Sequence, residues 1–314
     1  MKYAIIGAGC GGQTFSGDLA ARGYDVTLYN RSRERLGDLP DNPVISLEGA
    51  IAGKGRLRAA TTDIREAVDD ADIIMVATTA LGHRDVARNM APYLKDGQII
   101  VLNPSRTFGS LEVAKEICDA NPDVNPIICE ANTLLYATRV PQPGQAVVHG
   151  VKDEVKVAAL RPEYTALAVS RLKEAFPQMK PAQNILETSI GNIGAVFHPT
   201  ITLLNADRIQ GPDSFEFYID GVTPPVAAYM CAVDQERQKL AHALGTEVPS
   251  IEQWLVGRYA LEGKNLRDII RSNPAYLGIF APNTLDHRYL LEDVPTGLVP
   301  LSMAAKCLGQ KTHS

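Results

Sequence analysis

Residues 1–32 read MKYAIIGAGCGGQTFSGDLAARGYDVTLYNRS, and this stretch decides the fold. A short apolar run ends in a glycine-rich turn, apolar residues then recur at helical spacing, and a second β-branched run covers residues 25–29. The pattern predicts a strand, a tight turn, a helix and a second strand. A GxGxxG sequence between a strand and a helix is typical of a turn that binds the pyrophosphate of a dinucleotide.

Three glycines of this turn have separate physical reasons. Gly7 permits the sharp turn after the strand, Gly9 lets the backbone approach a pyrophosphate, and Gly12 allows the helix to pack closely on the strand. Free N–H groups at the helix N-terminus then point at the phosphates. A glycine-rich turn in another kind of α/β protein would not account for glycine at all three offsets. We therefore predict that the cofactor is bound by Gly7, Ala8, Gly9, Cys10, Gly11 and Gly12.

The residues that close the second strand bear on which dinucleotide is bound. Selectivity for NAD usually rests on an Asp or Glu that binds the ribose 2′-hydroxyl, whereas a 2′-phosphate needs cationic and neutral donors. The chain has Asn30, Arg31 and Ser32 here. We predict that these three residues bind the cofactor and favour NADP(H) over NAD(H), because an acid is missing and an arginine can pair with phosphate. The alternative is that the arginine only solvates a loop.

Strand and helix patterns alternate through the N-terminal half. Largely apolar, strand-like runs cover residues 72–78, 98–102 and 127–130. Such runs are typical of parallel strands buried on both faces, so an α/β fold with a Rossmann-type doubly wound parallel sheet is predicted. Thr78 ends one run and is expected near the cofactor ribose, because ligands bind at the carboxyl ends of these strands. Residues 37–55 predict a loop with one short strand at residues 44–47.

The pattern changes near residues 181–184, after which helical spacing predominates. Helices are predicted over residues 187–205, 224–244, 251–259, 265–270 and 297–308. We therefore expect a dinucleotide-binding domain at residues 1–183 and an all-helical substrate and catalytic domain at residues 184–314. Two domains also agree with a chain of 314 residues, which is long for a single core.

Composition and charge limit the classes of partner. The net charge is -5 and no basic run has interleaved aromatics, which argues against nucleic-acid binding. The five cysteines are scattered and form no CxxC pair, so neither a disulfide framework nor a metal site is predicted. No apolar stretch approaches the roughly 18 residues of a membrane span, and the first strand begins too close to Met1 for a signal peptide. The expectation is a cytoplasmic protein that acts on small molecules.

Three polar residues of the helical half are candidates for chemistry. His198 lies in the otherwise apolar stretch GNIGAVFHP, and Arg288 and Asp293 lie in DHRYLLEDVP. A histidine among apolar residues is more often satisfied within a core than catalytic. The arginine and the aspartate also fit a surface ion pair, with Asp293 capping the helix after Pro295. The pattern alone leaves both interpretations open.

Taken together, these segments resemble the octopine/nopaline (opine) dehydrogenase family. The resemblance rests on GAGCGG at residues 7–12, EANTLLYATR at residues 130–139, Asn192 with the pair His198-Pro199, and RYLLEDVPTGLVP at residues 288–300. The last segment is the most specific, and the first is shared with many dehydrogenases. The resemblance covers nearly the whole chain.

The resemblance implies a reductive condensation. An L-amino acid and a 2-oxo acid such as pyruvate form an imine, which NAD(P)H reduces to a secondary amine dicarboxylate. It implies that His198 is the acid and base, that Asp293 pairs with it, and that Arg288 grips the 2-oxo acid carboxylate. Glu130 is expected to bind substrate, and Asn192 to polarise the reacting oxygen, although helix capping or packing would also explain Asn192. A homodimer is expected.

Two other functions compete with this one. A reductase of 2-oxo or 3-hydroxy acids, such as a ketopantoate reductase or a glycerol-3-phosphate dehydrogenase relative, is similar at the N-terminus but carries a catalytic lysine on the first helix of the second domain. No lysine lies between Lys180 and Lys239, which argues against that class. A non-catalytic NADP(H)-binding sensor would need the glycine turn but not His198, Arg288 and Asp293.

Overall fold

Residues 1–259, 261–310 and 312 of the chain are described by a computed structural model. The chain divides into two compact units, Met1–Ser189 and Ile190–Ser314. The sequence predicted a boundary after residue 183. The unit boundary lies later because the side chains of Thr188 and Ser189 donate hydrogen bonds to the Glu130 carboxylate, which ties this segment to the first unit.

The first unit, all of whose residues are described, consists of strands joined by helices. Its strands are β1 (Lys2–Ile6), β2 (Asp25–Tyr29), β3 (Val44–Gly49), β4 (Gly53–Arg56), β5 (Ala59–Thr61), β6 (Ile73–Val76), β7 (Ile99–Leu102), β8 (Ile127–Ala131), β9 (Tyr136–Gln142), β10 (Gln145–Val151), β11 (Val155–Ala159) and β12 (Met179–Pro181). Its helices are α1 (Cys10–Ala21), α2 (Arg33–Leu36), α3 (Ile64–Val68), α4 (His83–Met90), α5 (Gly109–Ala120), α6 (Thr165–Lys173) and α7 (Ile185–Ile190), which ends at the unit boundary.

Eight strands form one large sheet in the order β12-β11-β8-β7-β6-β1-β2-β5. The strands β5-β2-β1-β6-β7-β8 are parallel, and Ile6 of β1 pairs with Tyr29 on one side and Val76 on the other. All side chains of β6 and β7 are buried, as expected for strands covered on both faces. The strand order reverses between β1 and β6, where a doubly wound sheet binds its ligand at the carboxyl ends. The predicted Rossmann-type sheet is confirmed.

A second sheet, with the order β4-β3-β10-β9, packs against α1. The prediction of a loop with one short strand at residues 44–47 was incomplete, because β4 was read as part of the loop. The glycines of β4 look like loop residues but are packing residues. A Cβ on Gly55 would lie 2.3 Å from the Gly17 carbonyl oxygen of α1, and a Cβ on Gly17 would lie 2.8 Å from the Ile45 side chain. Glycine therefore lets the helix approach the sheet closely.

The described part of the second unit is helical, as predicted. Its helices are α8 (Gly194–Leu204), α9 (Ala206–Gln210), α10 (Pro224–Ala243), α11 (Ile251–Tyr259), α12 (Leu266–Ser272), α13 (Arg288–Leu291) and α14 (Val299–Cys307). They enclose an apolar core that includes Phe197, Phe217, Met230, Leu255 and Ile270. No helix in the described ranges of the chain combines the length and the apolar character needed to cross a lipid bilayer.

Two of the predicted helices were wrong in their extent. The helix expected over residues 187–205 is interrupted at residues 191–193, because the Ile190 carbonyl accepts a hydrogen bond from Arg237 Nη1 at 2.9 Å. The helix expected over residues 297–308 follows a π-helical turn at Val294–Leu298. Gly297 of that turn packs against α8, where a Cβ would lie 2.6 Å from the Ala195 Cβ. This close approach brings residue 293 beside α8.

Candidate active site

The glycine turn has the geometry that its sequence predicts. β1 ends at Ile6, Gly7 has a φ of +111°, and α1 begins at Cys10. A Cβ on Gly12 would lie 1.7 Å from the Gly7 carbonyl oxygen, so the helix can approach the turn only with glycine there. A Cβ on Gly9 would meet no atom within 4 Å. The turn therefore leaves space beside Gly9, where a dinucleotide pyrophosphate is held in such folds.

The N-terminus of α1 is suited to an anion. Gly9 is its capping residue and offers no side chain, and the first turn carries no acid. The first N–H groups of the helix, on Cys10, Gly11 and Gly12, have no intrahelical partner and fit a phosphate. The amide of Ala8 differs, because it donates to Asn30 Oδ1 at 3.0 Å. The Ala8 amide therefore shapes the turn and is not a free donor.

The end of β2 lacks a carboxylate and carries an exposed cation. The side chain of Asn30 is used within the protein, since its Nδ2 donates to the Ser32 carbonyl at 3.0 Å. Arg31 is 82% exposed and lies 3.6 Å from the Asp85 carboxylate. An ion pair this exposed holds the guanidinium only weakly. Arg31 can therefore turn toward a ribose 2′-phosphate, whereas Asn30 positions the backbone.

Thr78 lies next to the glycine turn. A Cβ on Gly7 would come within 2.9 Å of Thr78 Cγ2, so the residue after β6 packs directly on the turn after β1. Thr78 Oγ1 is buried and makes no hydrogen bond among the described residues. The structure thus brings Thr78 and the glycine turn together at the carboxyl edge of the sheet.

Glu130 lies at the end of β8 and is completely buried. One carboxylate oxygen accepts a hydrogen bond from the Ser110 amide at 3.0 Å. The other accepts from the hydroxyls of Thr188 at 2.9 Å and Ser189 at 2.6 Å. These three bonds explain how a carboxylate is accommodated without solvent. The expectation that Glu130 contacts substrate does not fit this burial, and its contacts are those of a residue that anchors the segment before Ile190.

His198 and Asp293 meet within the second unit, although 95 positions separate them in the chain. His198 Nδ1 lies 2.7 Å from Asp293 Oδ2, and the aspartate side chain is 1% exposed whereas that of the histidine is 20% exposed. Asp293 makes no side-chain capping bond to the turn that follows it, so it does not act as a helix cap. A buried carboxylate on Nδ1 orients an imidazole and leaves Nε2 for proton exchange. The pair has the geometry of an oriented general acid and base.

Aromatic side chains complete the surroundings of His198. The Tyr218 hydroxyl lies 3.1 Å from Nε2, and the Tyr289 ring stacks on the imidazole with centroids 4.3 Å apart. Burial raises the pKa of Tyr289, so its hydroxyl stays neutral. Sequence reasoning missed both tyrosines as site residues. Tyr289 adjoins Arg288 within a recognised segment, whereas no spacing rule connects Tyr218 with His198.

Arg288 projects from the one-turn helix α13 and is 56% exposed. Its Nη2 lies 2.8 Å from Glu292 Oε2. Arg288 therefore pairs with Glu292, whereas the surface ion pair considered from the sequence would join it to Asp293. A planar guanidinium held in this way can still present an edge to a substrate carboxylate. His287 comes just before Arg288, and burial together with that guanidinium lowers the pKa of His287. The lowered pKa favours the neutral form of His287.

Asn192 lies in the break between α7 and α8 and not on a helix. Its Nδ2 is buried and makes no hydrogen bond among the described residues. A buried amide with an unused donor is unusual in a folded protein. Asn192 and His198 belong to the same unit, but the structure gives no direct hydrogen bond between the Asn192 Nδ2 and His198.

Comparison with known proteins agrees with this arrangement. Residues 181–314 match the family model for the α-helical domain of NAD/NADP octopine/nopaline dehydrogenases. Residues 3–162 match the family model of ketopantoate reductase PanE/ApbA. An opine dehydrogenase of Arthrobacter sp. (strain 1C) is 36% identical over 99% of this chain and 86% of its own length. The octopine dehydrogenase of Pecten maximus is 26% identical over 98% of this chain and 86% of its own length.

Solved structures show the same fold. An octopine dehydrogenase with NADH and L-arginine superposes with a TM-score of 0.85 at 22% identity, covering 99% of this chain and 86% of that one. A yersinopine dehydrogenase with NADP+ bound gives a TM-score of 0.83 at 20% identity, covering 99% and 87%. The glycine turn and the helical second unit define a two-domain nicotinamide-dependent dehydrogenase. The chain belongs to the octopine/nopaline (opine) dehydrogenase family.

Proposed function

We propose that the protein is an opine dehydrogenase that joins an L-amino acid to a 2-oxo acid such as pyruvate and uses NAD(P)H to reduce the resulting imine to a secondary amine dicarboxylate. The observation that carries the proposal is the 2.7 Å contact between His198 Nδ1 and the buried Asp293 carboxylate. Family membership supports it. Octopine dehydrogenase has been solved with NADH and L-arginine and with NADH and pyruvate, the two kinds of substrate that this reaction requires.

His198 is the acid and base in the proposed reaction. Asp293 accepts a hydrogen bond from Nδ1–H, so Nε2 is the nitrogen that gives a proton to the oxygen of the 2-oxo acid or takes one from it. In the condensing direction, that oxygen leaves as water after the amine has added to the carbonyl carbon. Positioned proton transfer of this kind contributes roughly 10²- to 10⁴-fold to the rate. When bound, the nicotinamide supplies the hydride.

Arg288 holds the carboxylate of the 2-oxo acid in this proposal. Two parallel N–H donors of a guanidinium fix a carboxylate in both position and plane, which a lysine ammonium does not. Glu292 restrains the guanidinium through a 2.8 Å contact with Nη2. Fixing the carboxylate also fixes the neighbouring carbonyl carbon, and such positioning lowers the entropic part of the barrier.

The dinucleotide is proposed to lie on the glycine turn and the N-terminus of α1, with NADP(H) preferred over NAD(H). The support is the open space beside Gly9, the uncapped helix and the exposed Arg31 beside a strand end that lacks an acid. NADH and NADP+ both occur in structures of similar fold. The preference therefore depends on residues 30–32 of this chain.

A substrate-pair assay tests the proposal. Loss of NADPH is followed by absorbance with pyruvate alone, with L-amino acids alone and with each pair, and the product mass is measured. We expect consumption only when both substrates are present, with a product equal in mass to the reduced condensation product. A product that contains only the reduced oxo acid would contradict condensation.

A 2-oxo acid reductase is the second candidate, because residues 3–162 match the ketopantoate reductase model. That match covers the dinucleotide-binding half of the chain. The helical half argues against it, since it matches the octopine/nopaline dehydrogenase model and has no lysine between Lys180 and Lys239. NADPH consumption with an oxo acid alone would favour this candidate.

A further inference from the structure

Both ring nitrogens of His198 are engaged within the second unit. Nδ1 lies 2.7 Å from the Asp293 carboxylate and Nε2 lies 3.1 Å from the Tyr218 hydroxyl. The Tyr289 ring covers one face of the imidazole, with centroids 4.3 Å apart and planes inclined by 19°. The ring is thus held at each nitrogen and on one face.

We propose that Tyr218 is a positioning residue of the reaction, and that it holds Nε2 of His198 as Asp293 holds Nδ1. The inference rests on the proposed function of His198 as the acid and base. The proposed function by itself gives Tyr218 no role.

A hydroxyl suits Nε2 in both of its protonation states. A phenolic O–H donates to the lone pair of a neutral imidazole, and its oxygen accepts from the N–H of an imidazolium. A carboxylate only accepts, which suits Nδ1 because that nitrogen keeps its proton in both states. Asp293 and Tyr218 therefore hold the ring before substrate binds, whether or not Nε2 carries a proton. The ring is already oriented when the reacting oxygen replaces the Tyr218 hydroxyl at Nε2 and exchanges the proton.

The surroundings of Tyr218 fix its hydroxyl. The residue is 8% exposed, and its ring stacks on Tyr276, with centroids 4.2 Å apart and planes inclined by 18°. Phe217 contacts it edge to face at 5.1 Å. Tyr289 stacks on the same imidazole that the Tyr218 hydroxyl contacts. Because these contacts already fix the tyrosine, it loses little side-chain conformational entropy when it holds the imidazole.

The test is the substitution Tyr218→Phe, which keeps the ring and its stacking and removes only the hydroxyl. Tyr229→Phe is the matched control, because Tyr229 is a 43% exposed tyrosine on α10. With the substrate pair that the wild-type enzyme turns over, we expect Tyr218→Phe to lower kcat about tenfold, which corresponds to one hydrogen bond. The KM for NADPH should stay within twofold, and Tyr229→Phe should match the wild type.

Measuring Tyr218→Phe together with Asp293→Asn distinguishes a positioning role of Tyr218 from a packing role. Both residues are proposed to act through one imidazole, so Tyr218→Phe should cost clearly less in an Asp293→Asn background than in the wild type. A kcat within twofold of the wild type, or an equal loss in both backgrounds, would overturn the inference and leave the proposed function intact. An enzyme inactive with every substrate pair would instead overturn the proposed function.

A measurement on the wild type covers the case in which the variant does not fold. In ¹⁵N NMR of histidine-labelled protein, at a pH at which the imidazole is neutral, we expect His198 to show one tautomer, with the proton on Nδ1 and Nε2 accepting a hydrogen bond. Signals that average over both tautomers would overturn the inference, whether or not a substrate pair has been found.

Discussion

The Ala8 amide donates to Asn30 Oδ1 at 3.0 Å, which ties the glycine turn to the end of β2. Asn30 thus takes the place where a carboxylate would select the 2′-hydroxyl of NAD. The side-chain amide of Asn30 is bonded to the backbone at both of its ends, since Nδ2 also donates to the Ser32 carbonyl. In the proposed function, selection between the two dinucleotides therefore falls to the neighbouring Arg31.

Arg31→Ala is expected to weaken NADPH binding about tenfold and to leave NADH binding within twofold. A charge-assisted hydrogen bond to phosphate contributes about 1.5–3 kcal/mol, and exposure places Arg31 at the low end of that range. Dissociation constants from fluorescence titration check the result. Arg33→Ala is the control, because Arg33 is also exposed but is bound to Asp41 at 2.9 Å. Equal losses for both dinucleotides would contradict the 2′-phosphate contact.

Two alanine substitutions in the glycine turn should separate folding from binding. Gly12→Ala places a Cβ 1.7 Å from the Gly7 carbonyl oxygen, so we expect a loss of at least about 3 kcal/mol of stability. Gly9→Ala meets no protein atom within 4 Å and should leave the melting temperature unchanged. It should nonetheless weaken dinucleotide binding at least tenfold, because the Cβ occupies the space expected for pyrophosphate. Calorimetry and cofactor titration of both variants test this; full affinity in Gly9→Ala would place the pyrophosphate elsewhere.

His83 is expected to make the stability depend on pH. It is 1% exposed, its ring nitrogens make no hydrogen bond among the described residues, and burial lowers its pKa to about 4, with Arg106 adding to the effect. The unfolded state, with a pKa of 6.5, binds more protons below that pH. The contribution of neutral His83 to the free energy of unfolding is therefore fully present above pH 6.5. It is lost as the pH falls toward 4, by about 3 kcal/mol. Urea unfolding of the wild type and His83→Gln between pH 4 and 7 measures this difference; identical pH dependence in both would contradict it.

Particular residues show which parts of the fold could be predicted from the sequence. Gly7, Gly9 and Gly12 predicted the turn because strand, turn and helix are local patterns. Gly55 of β4 was read as a loop residue, because its partner Gly17 is distant in sequence and only the packed structure shows why a Cβ is excluded. Local periodicity does not record which distant side chains meet.

The candidate site shows the same limit. The resemblance implied the pairing of His198 with Asp293, and the structure brings the two side chains together. Glu130 belonged to an equally recognisable segment, yet its carboxylate is buried and anchored. Tyr218 was missed because its contact with His198 depends on how α8 and the segment before α10 fold over each other.

Arg288→Lys is expected to raise the KM for the 2-oxo acid about tenfold and to change kcat less. A lysine keeps the charge but replaces a planar fork by a point donor, so it loses one of two parallel hydrogen bonds to the carboxylate. Steady-state kinetics with each substrate varied in turn check the result. The KM for the amino acid is the internal control and should stay within twofold. Similar changes in both KM values would show that Arg288 supports the site as a whole.

Asp293→Asn should give the largest loss of turnover that leaves the protein folded. The amide keeps the size of the carboxylate, but it removes the charge that stabilises an imidazolium and no longer requires the proton on Nδ1. We expect kcat to fall by roughly 10²- to 10⁴-fold, the range of a lost general acid or base. Binding of NADPH should be unchanged, because the glycine turn belongs to the first unit. Asp286→Asn, the same chemical change at an exposed position of the same segment, is the control and should retain wild-type kinetics. If Asp293→Asn kept more than a tenth of the wild-type kcat, the acid and base of the reaction would have to be sought outside the pair formed by His198 and Asp293.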